Sequence, residues 1–172
     1  MSSKLAKIHL LGIIAISLVL GGCSIKYSFT GASIPPEAKT VSVDFFQNTA
    51  AQVNPTLSNY FTEQLKERYI NQTSLNMVDE LGDFAFSGQI TNYTVTPVAI
   101  QGSETAAQNR LTISVHVKFV NAIDSKASFD KSFSQYEDYN SDLNFVDVEE
   151  ELMRSIVTKL IDNIFNESAA NW

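Results

Sequence analysis

The chain has 172 residues, 44% hydrophobic and 18% charged, and 19 acidic against 12 basic residues give a formal charge of −7. That is the composition of one globular domain long enough to bury its own core, neither disordered nor fibrous. The acidic balance argues against nucleic acid, which is bound mainly by neutralising phosphates, and a lone cysteine rules out an internal disulfide or a multi-thiolate zinc site.

Residues 1–22 differ from the rest. Lys4 and Lys7 are basic, no acidic residue precedes Cys23, and Leu10 to Leu20 is apolar except for Gly12 and Ser17. A helix of that length spans about 17 Å, too short for a hydrocarbon core of about 30 Å, so the segment reads as a secretory signal. It ends in Leu20-Gly21-Gly22-Cys23, which resembles the bacterial lipobox, whose cysteine becomes the lipidated first residue of the mature protein. Two or more acyl chains anchor a protein stably. Loss of the signal leaves 10 basic and 19 acidic residues, a charge of −9, so anionic lipid is no second anchor. Ser24 in place of an aspartate favours the outer membrane over inner-membrane retention.

Residues 23–38 form a tether rich in Ser, Thr, Gly and Pro, in which Pro35-Pro36 forbids a helix. Val41 to Phe45 alternates as a strand. Asn54-Pro55 opens a helix, with Asn as N-cap and Pro at the first helical position. Leu57, Phe61, Leu65 and Tyr69 recur every four residues to about Ile70, and Tyr60 widens the stripe. A short strand at Leu75–Asp79 and a turn at Leu81-Gly82-Asp83 follow. Strand, helix and strand make a crossover unit, so the two strands can be parallel.

Phe84, Phe86, Gly88 and Ile90 share one phase of a long strand, and Tyr93 and Val95 take the other. A bulge between Ile90 and Tyr93 absorbs the slip, and Pro97 marks an edge. After the polar connection Gln101–Asn109, the next strand turns Leu111, Ile113, Val115, Val117 and Phe119 inward and Thr112, Ser114, His116 and Lys118 outward. A last strand carries Phe129 and Phe133 on one face. The final helix, capped by Asn144, has two adjacent apolar rows: Leu152, Ile156, Leu160 and Ile164 beside Met153, Val157, Ile161 and Phe165. The expected fold is an α/β (α+β) two-layer sandwich, with a mixed four- or five-stranded sheet and two helices packed on one face. Residues 39–172 make one domain.

Reactive groups are scarce. His116 is the only histidine once the signal is removed, and it reads as a solvated sheet residue. Neither a Gly-x-Ser-x-Gly elbow, nor a phosphate-binding glycine loop, nor His-Glu-x-x-His occurs. Asp147, Glu149, Glu150 and Glu151 lie at a helix start, where negative charge is favourable; a calcium-loop spacing is missing. Glu137, Asp138 and Asp142 read as the preceding loop, where they could join a weak cation site. Arg110, Lys118 and Lys131 form a positive patch if they meet on the open sheet face, suited to a phosphorylated or carboxylated glycolipid or to barrel contact; otherwise they are scattered surface charge.

The order of features resembles one family over the mature chain. The lipobox cysteine is followed by Tyr27-Ser28-Phe29-Thr30-Gly31-Ala32-Ser33-Ile34-Pro35-Pro36, then Lys39-Thr40-Val41-Ser42-Val43 and Asn54-Pro55-Thr56-Leu57. Val98-Ala99-Ile100-Gln101-Gly102, Asn109-Arg110-Leu111-Thr112-Ile113, a long helix and Ala170-Asn171-Trp172 complete it. This is similar to the Bacteroidota form of LptE, the lipopolysaccharide-assembly lipoprotein. The resemblance implies a non-enzymatic outer-membrane lipoprotein that faces the periplasm or sits within a barrel lumen. It would plug the LptD β-barrel, assist its assembly and help move lipopolysaccharide to the outer leaflet. No cofactor is implied beyond the diacylglyceryl and N-acyl lipid on Cys23. The competing reading is a free-standing periplasmic carrier of lipid or glycolipid, which needs a sizeable apolar cavity.

Overall fold

The computed structural model describes residues 34–98 and 107–170. The signal, Cys23, the tether up to Ser33, the Ala99–Gly102 stretch and Asn171-Trp172 lie outside the described residues. In chain order the elements are β1 (Thr40–Val43), β2 (Gln47–Asn48), α1 (Leu57–Gln72), β3 (Asn76–Met77), β4 (Phe84–Val98), β5 (Gln108–Asn121), a 3-10 turn (Ser125–Ala127), β6 (Phe129–Asn140) and α2 (Phe145–Phe165). A π turn at Asn166–Ala170 follows α2.

The strands form one mixed sheet in the order β3-β1-β4-β5-β6, with β2 beside β4. β1 runs parallel to β3 and β4, and β2 parallel to β4; β4, β5 and β6 form an antiparallel meander. The α+β sandwich with two helices is as the periodicities require, but the sheet has six strands rather than four or five. Two-residue β2 is too short to show alternation. The meander is longer than expected as well, since β6 continues through Glu137 and Asp138 to Asn140. Those two carboxylates therefore belong to a strand, not to the loop before α2.

The bulge falls where the phase slips, between Ile90 and Asn92. It keeps Tyr93 on the same buried face as Phe84, Phe86 and Ile90. β1 covers one side of β4 at residues 84–86 and β2 covers it at 89–90. Beyond them that side of β4 is an edge among the described residues, which is where a proline without an N–H does no harm. Gly88 is required by close approach: a Cβ there would lie 2.0 Å from the His116 carbonyl oxygen and 2.7 Å from the Phe46 ring.

The core lies between the sheet and the helices. Leu111, Ile113, Val115 and Val117 on β5 are fully buried, as are Leu57, Phe61, Leu65 and Tyr69 on α1 and Ile156, Val157, Leu160 and Ile164 on α2. Phe86 stacks on Phe119 at 4.6 Å between ring centres, and Tyr69 meets both Phe86 and Phe165. Inter-helix contacts climb in one order: Asn54 to Glu149, Tyr60 to Arg154, Arg68 to Asp162 and Tyr69 to Ser168. The helices therefore run parallel, and both begin at the same end of the sheet.

The start of α1 is a variation on the expected cap. Its first helical residue is Leu57, yet the Asn54 side-chain oxygen accepts from the N–H groups of Thr56 at 2.9 Å and Leu57 at 3.2 Å. Asn54 thus supplies the capping bonds from one turn earlier. Asn144 caps α2 as expected, accepting from Val146 N–H.

Candidate functional site

The face of the sheet turned away from the helices is a lattice of polar side chains, many of them short. Across β4, β5 and β6 the rows are Ser87, Lys118 and Asp130; Gln89, His116 and Ser132; Asn92, Ser114 and Ser134; Thr94, Thr112 and Tyr136; Thr96, Arg110 and Asp138. Alternation explains it on β5, where the intervening Leu111, Ile113, Val115 and Val117 are spent on the core. Ser114 and Ser134 hydroxyls are 2.9 Å apart. His116 Nε2 lies 2.7 Å from Asp130 and Nδ1 3.3 Å from Ser132, so this imidazole is tied into its row.

The three basic residues singled out in the sequence are not brought together. Arg110 grips Asp138 through two bonds, of 2.7 and 2.8 Å, and stacks 3.7 Å over the Tyr136 ring. The Asp138 bond raises the guanidinium pKa further and holds the Asp138 carboxyl below its usual range. Lys118 shares the open face but stands eight positions along β5, about 26 Å away at strand rise. Lys131 is on the opposite face. It lies over the rings of Phe129 and Phe133 at 4.9 and 5.5 Å and pairs with Glu167 beyond α2. A one-residue difference in phase on β6 is what separates it from the other two.

The acidic residues are similarly committed. Glu137 accepts from Lys159 Nζ at 2.8 Å and from the Ser155 hydroxyl, and these bonds hold its carboxyl below the usual range. Glu150 pairs with Arg154 one turn on. Among the described residues, no group of three or more His, Cys, Asp or Glu side chains is placed to hold a metal ion.

Two polar clusters went unrecognised in the sequence. At the helix-start end, Glu149 Oε1 accepts from the Tyr93 hydroxyl at 2.6 Å and from the Asn54 amide at 2.8 Å. This clasp joins β4, α1 and α2, and burial together with the Glu149 bond pushes the Tyr93 phenol up. At the opposite end, Asp83 Oδ2 accepts from Lys39 N–H at 2.8 Å, Thr40 N–H at 3.0 Å and the Thr40 hydroxyl at 2.9 Å. Led by the Lys39 N–H, these bonds hold the Asp83 carboxyl below its usual range. The Asn54–Glu149 partners are 95 positions apart, and no local spacing announces such a pair. Asp83 was visible only as part of a turn.

Open clefts of about 150, 320 and 210 Å³ lie between the later turns of the helices, between their starts, and under the 79–81 loop. No helix among the described residues is long and apolar enough to cross a membrane.

Solved structures share this architecture at low identity. A minor lipoprotein from Acinetobacter baumannii matches with TM-score 0.50 and 15% identity, over 76% of this chain and 91% of its own. The hypothetical protein CT253 from Chlamydia trachomatis matches with TM-score 0.53 and 10% identity, over 78% and 99%. A putative neuraminyllactose-binding hemagglutinin homolog from Helicobacter pylori matches with TM-score 0.51 and 11% identity, over 82% and 88%. These likenesses concern the fold alone. No curated protein matches the sequence. The family model described as LptE, lipopolysaccharide-assembly, matches residues 38–168, from the start of the domain to the turn after α2, and the chain belongs to that family.

Proposed function

We propose that the chain is an outer-membrane lipoprotein, anchored through Cys23, that partners and plugs an LptD-type β-barrel and assists both its assembly and the passage of lipopolysaccharide to the outer leaflet. The observation that carries this reading is the family match over residues 38–168. Three physical features support it. The inward side chains of the described residues pack into one core, whereas a free-standing carrier needs a sizeable apolar chamber. The open sheet face is polar and hydrogen-bonding, suited to the polar lumen of a barrel. An acylated Cys23 would hold the domain beside its barrel and raise its effective concentration without new contacts. The role is a non-enzymatic one, with Arg110 and Lys118 offered on the open face for barrel or glycolipid contact and Lys131 on the helix side.

Depletion of the protein from its native cells tests this. The reading expects the barrel to accumulate unassembled, seen as loss of its folded, heat-modifiable form, with a matching fall in surface lipopolysaccharide. Normal barrel assembly and normal surface lipopolysaccharide after depletion would overturn it.

A further inference from the structure

Beyond the row of Ser87, Lys118 and Asp130, toward the Asp83 end of the sheet, the open face turns apolar. Ala85 on β4 pairs there with Val120 on β5. The 210 Å³ cleft under the 79–81 loop opens on this step, and Leu81 lines it as well. Leu81 is 84% exposed and Val120 36%. The loop that presents Leu81 is pinned on both sides. Val78 N–H donates to the Val41 carbonyl at 2.9 Å, and Gly82 N–H donates to the Ser42 hydroxyl at 3.1 Å. An apolar side chain held outward by a fixed backbone is preorganised for contact.

Charge states what kind of contact. Asp44, Asp79 and Glu80 line the same cleft, against one base, Lys118. None of the three carboxylates forms an ion pair with another described residue. A phosphorylated or carboxylated ligand drawn to Lys118 would face all three. A purely apolar occupant would strip water from them without pairing them. A long basic side chain meets both demands: its aliphatic stem covers Leu81 and Val120 while its charged head reaches the carboxylates.

We infer that this cleft is a docking point for the barrel partner, filled by an arginine or lysine on a segment of that protein. The inference rests on the barrel partnership proposed above and adds to it where one contact lies and what chemistry it has. The apolar step is the centre of the contact and the carboxylates are its rim.

The test is photocrosslinking in native cells, with p-benzoylphenylalanine substituted at Leu81 of the full-length, C-terminally tagged chain and products mapped by mass spectrometry. The expected product is a link to the barrel at a segment that carries an arginine or lysine. Asp79→Lys with Glu80→Lys should lower the yield about fivefold, the scale of an exposed ion-pair cluster, at an unchanged thermal midpoint. Reversing the charge of the mapped basic residue on the barrel should restore it. If the barrel is recovered with the tagged protein but Leu81 links to an acidic or uncharged segment, to another protein, or to nothing, the inference falls and the partnership stands. A yield indifferent to the charge at 79 and 80 would overturn the inference in the same way. Absence of any barrel from the tagged fraction would overturn the partnership and this contact with it.

Discussion

Two residues fix the lower and middle parts of the sheet by means the sequence does not advertise. At Gly88 the strands β4 and β5 approach so closely that a methyl group would sit 2.0 Å from a backbone oxygen. Backbone atoms cannot give way as a flexible side chain can, so Gly88→Ala belongs at the upper end of overpacking costs, about 3 kcal/mol. Urea unfolding should show that loss without a change in slope. Asp83 works through charge. Its carboxyl is held below the ordinary range by the Lys39 and Thr40 donors, so the folded state favours the ionised form. The stability it contributes is present above the unfolded pKa of about 3.9 and is lost as pH falls through the lower folded value. Glu137 and Asp138, also lowered by their cationic and hydroxyl partners, act in the same direction. Asp83→Asn should therefore lower the thermal midpoint near neutral pH, and the gap from the parent protein should narrow as pH falls below about 4. Midpoints across that interval check the sign.

Secondary elements were legible where burial imposes a period. Every inward position read on β5 and both apolar rows of α2 lie against the core, because a side chain facing the wrong layer would strand apolar surface in water. Elements without a long period were less legible: β3, at Asn76–Met77, falls inside the expected Leu75–Asp79 strand, but two-residue β2 was missed, and the end of β6 carries Glu137 and Asp138 where alternation of apolar residues had stopped. The β4 bulge was legible as a slip of phase. Thr91 is its extra residue, and Ile90, Asn92 and Tyr93 already pair with Val115, Ser114 and Ile113 in sequence. Deleting Thr91 should thus preserve register and fold, whereas deleting Thr94 should turn Tyr93 or Val95 to the wrong face. Near-ultraviolet circular dichroism and melting separate the two outcomes. On the edge strand β6, Lys131 is a charge pointing toward the helix layer between Phe129 and Phe133, a device that discourages edge-to-edge pairing. Lys131→Val should promote self-association in sedimentation velocity, with little loss of monomer stability.

For the whole molecule, the layer architecture followed from counting amphipathic faces, since two helices with broad stripes and a sheet with one wet face can bury their apolar surface only against each other. The candidate patch did not follow in the same way. Arg110, Lys118 and Lys131 are near in sequence terms, but strand pairing sends Lys131 through the sheet and sets the other two about 26 Å apart. Long-range ties such as Tyr93–Glu149–Asn54 were equally invisible, because they depend on where three elements meet. Among the described residues, the outer face of the meander is polar and hydrogen-bonded, which supports the proposed partnership with a barrel. The central claim is that partnership. Its most direct measurement is a mild-detergent pull-down from native outer membranes through a C-terminal tag, scored for a large β-barrel. The account predicts a barrel recovered one-to-one with the tagged protein. Recovery of the protein alone, or with bound lipid and no barrel, would contradict it.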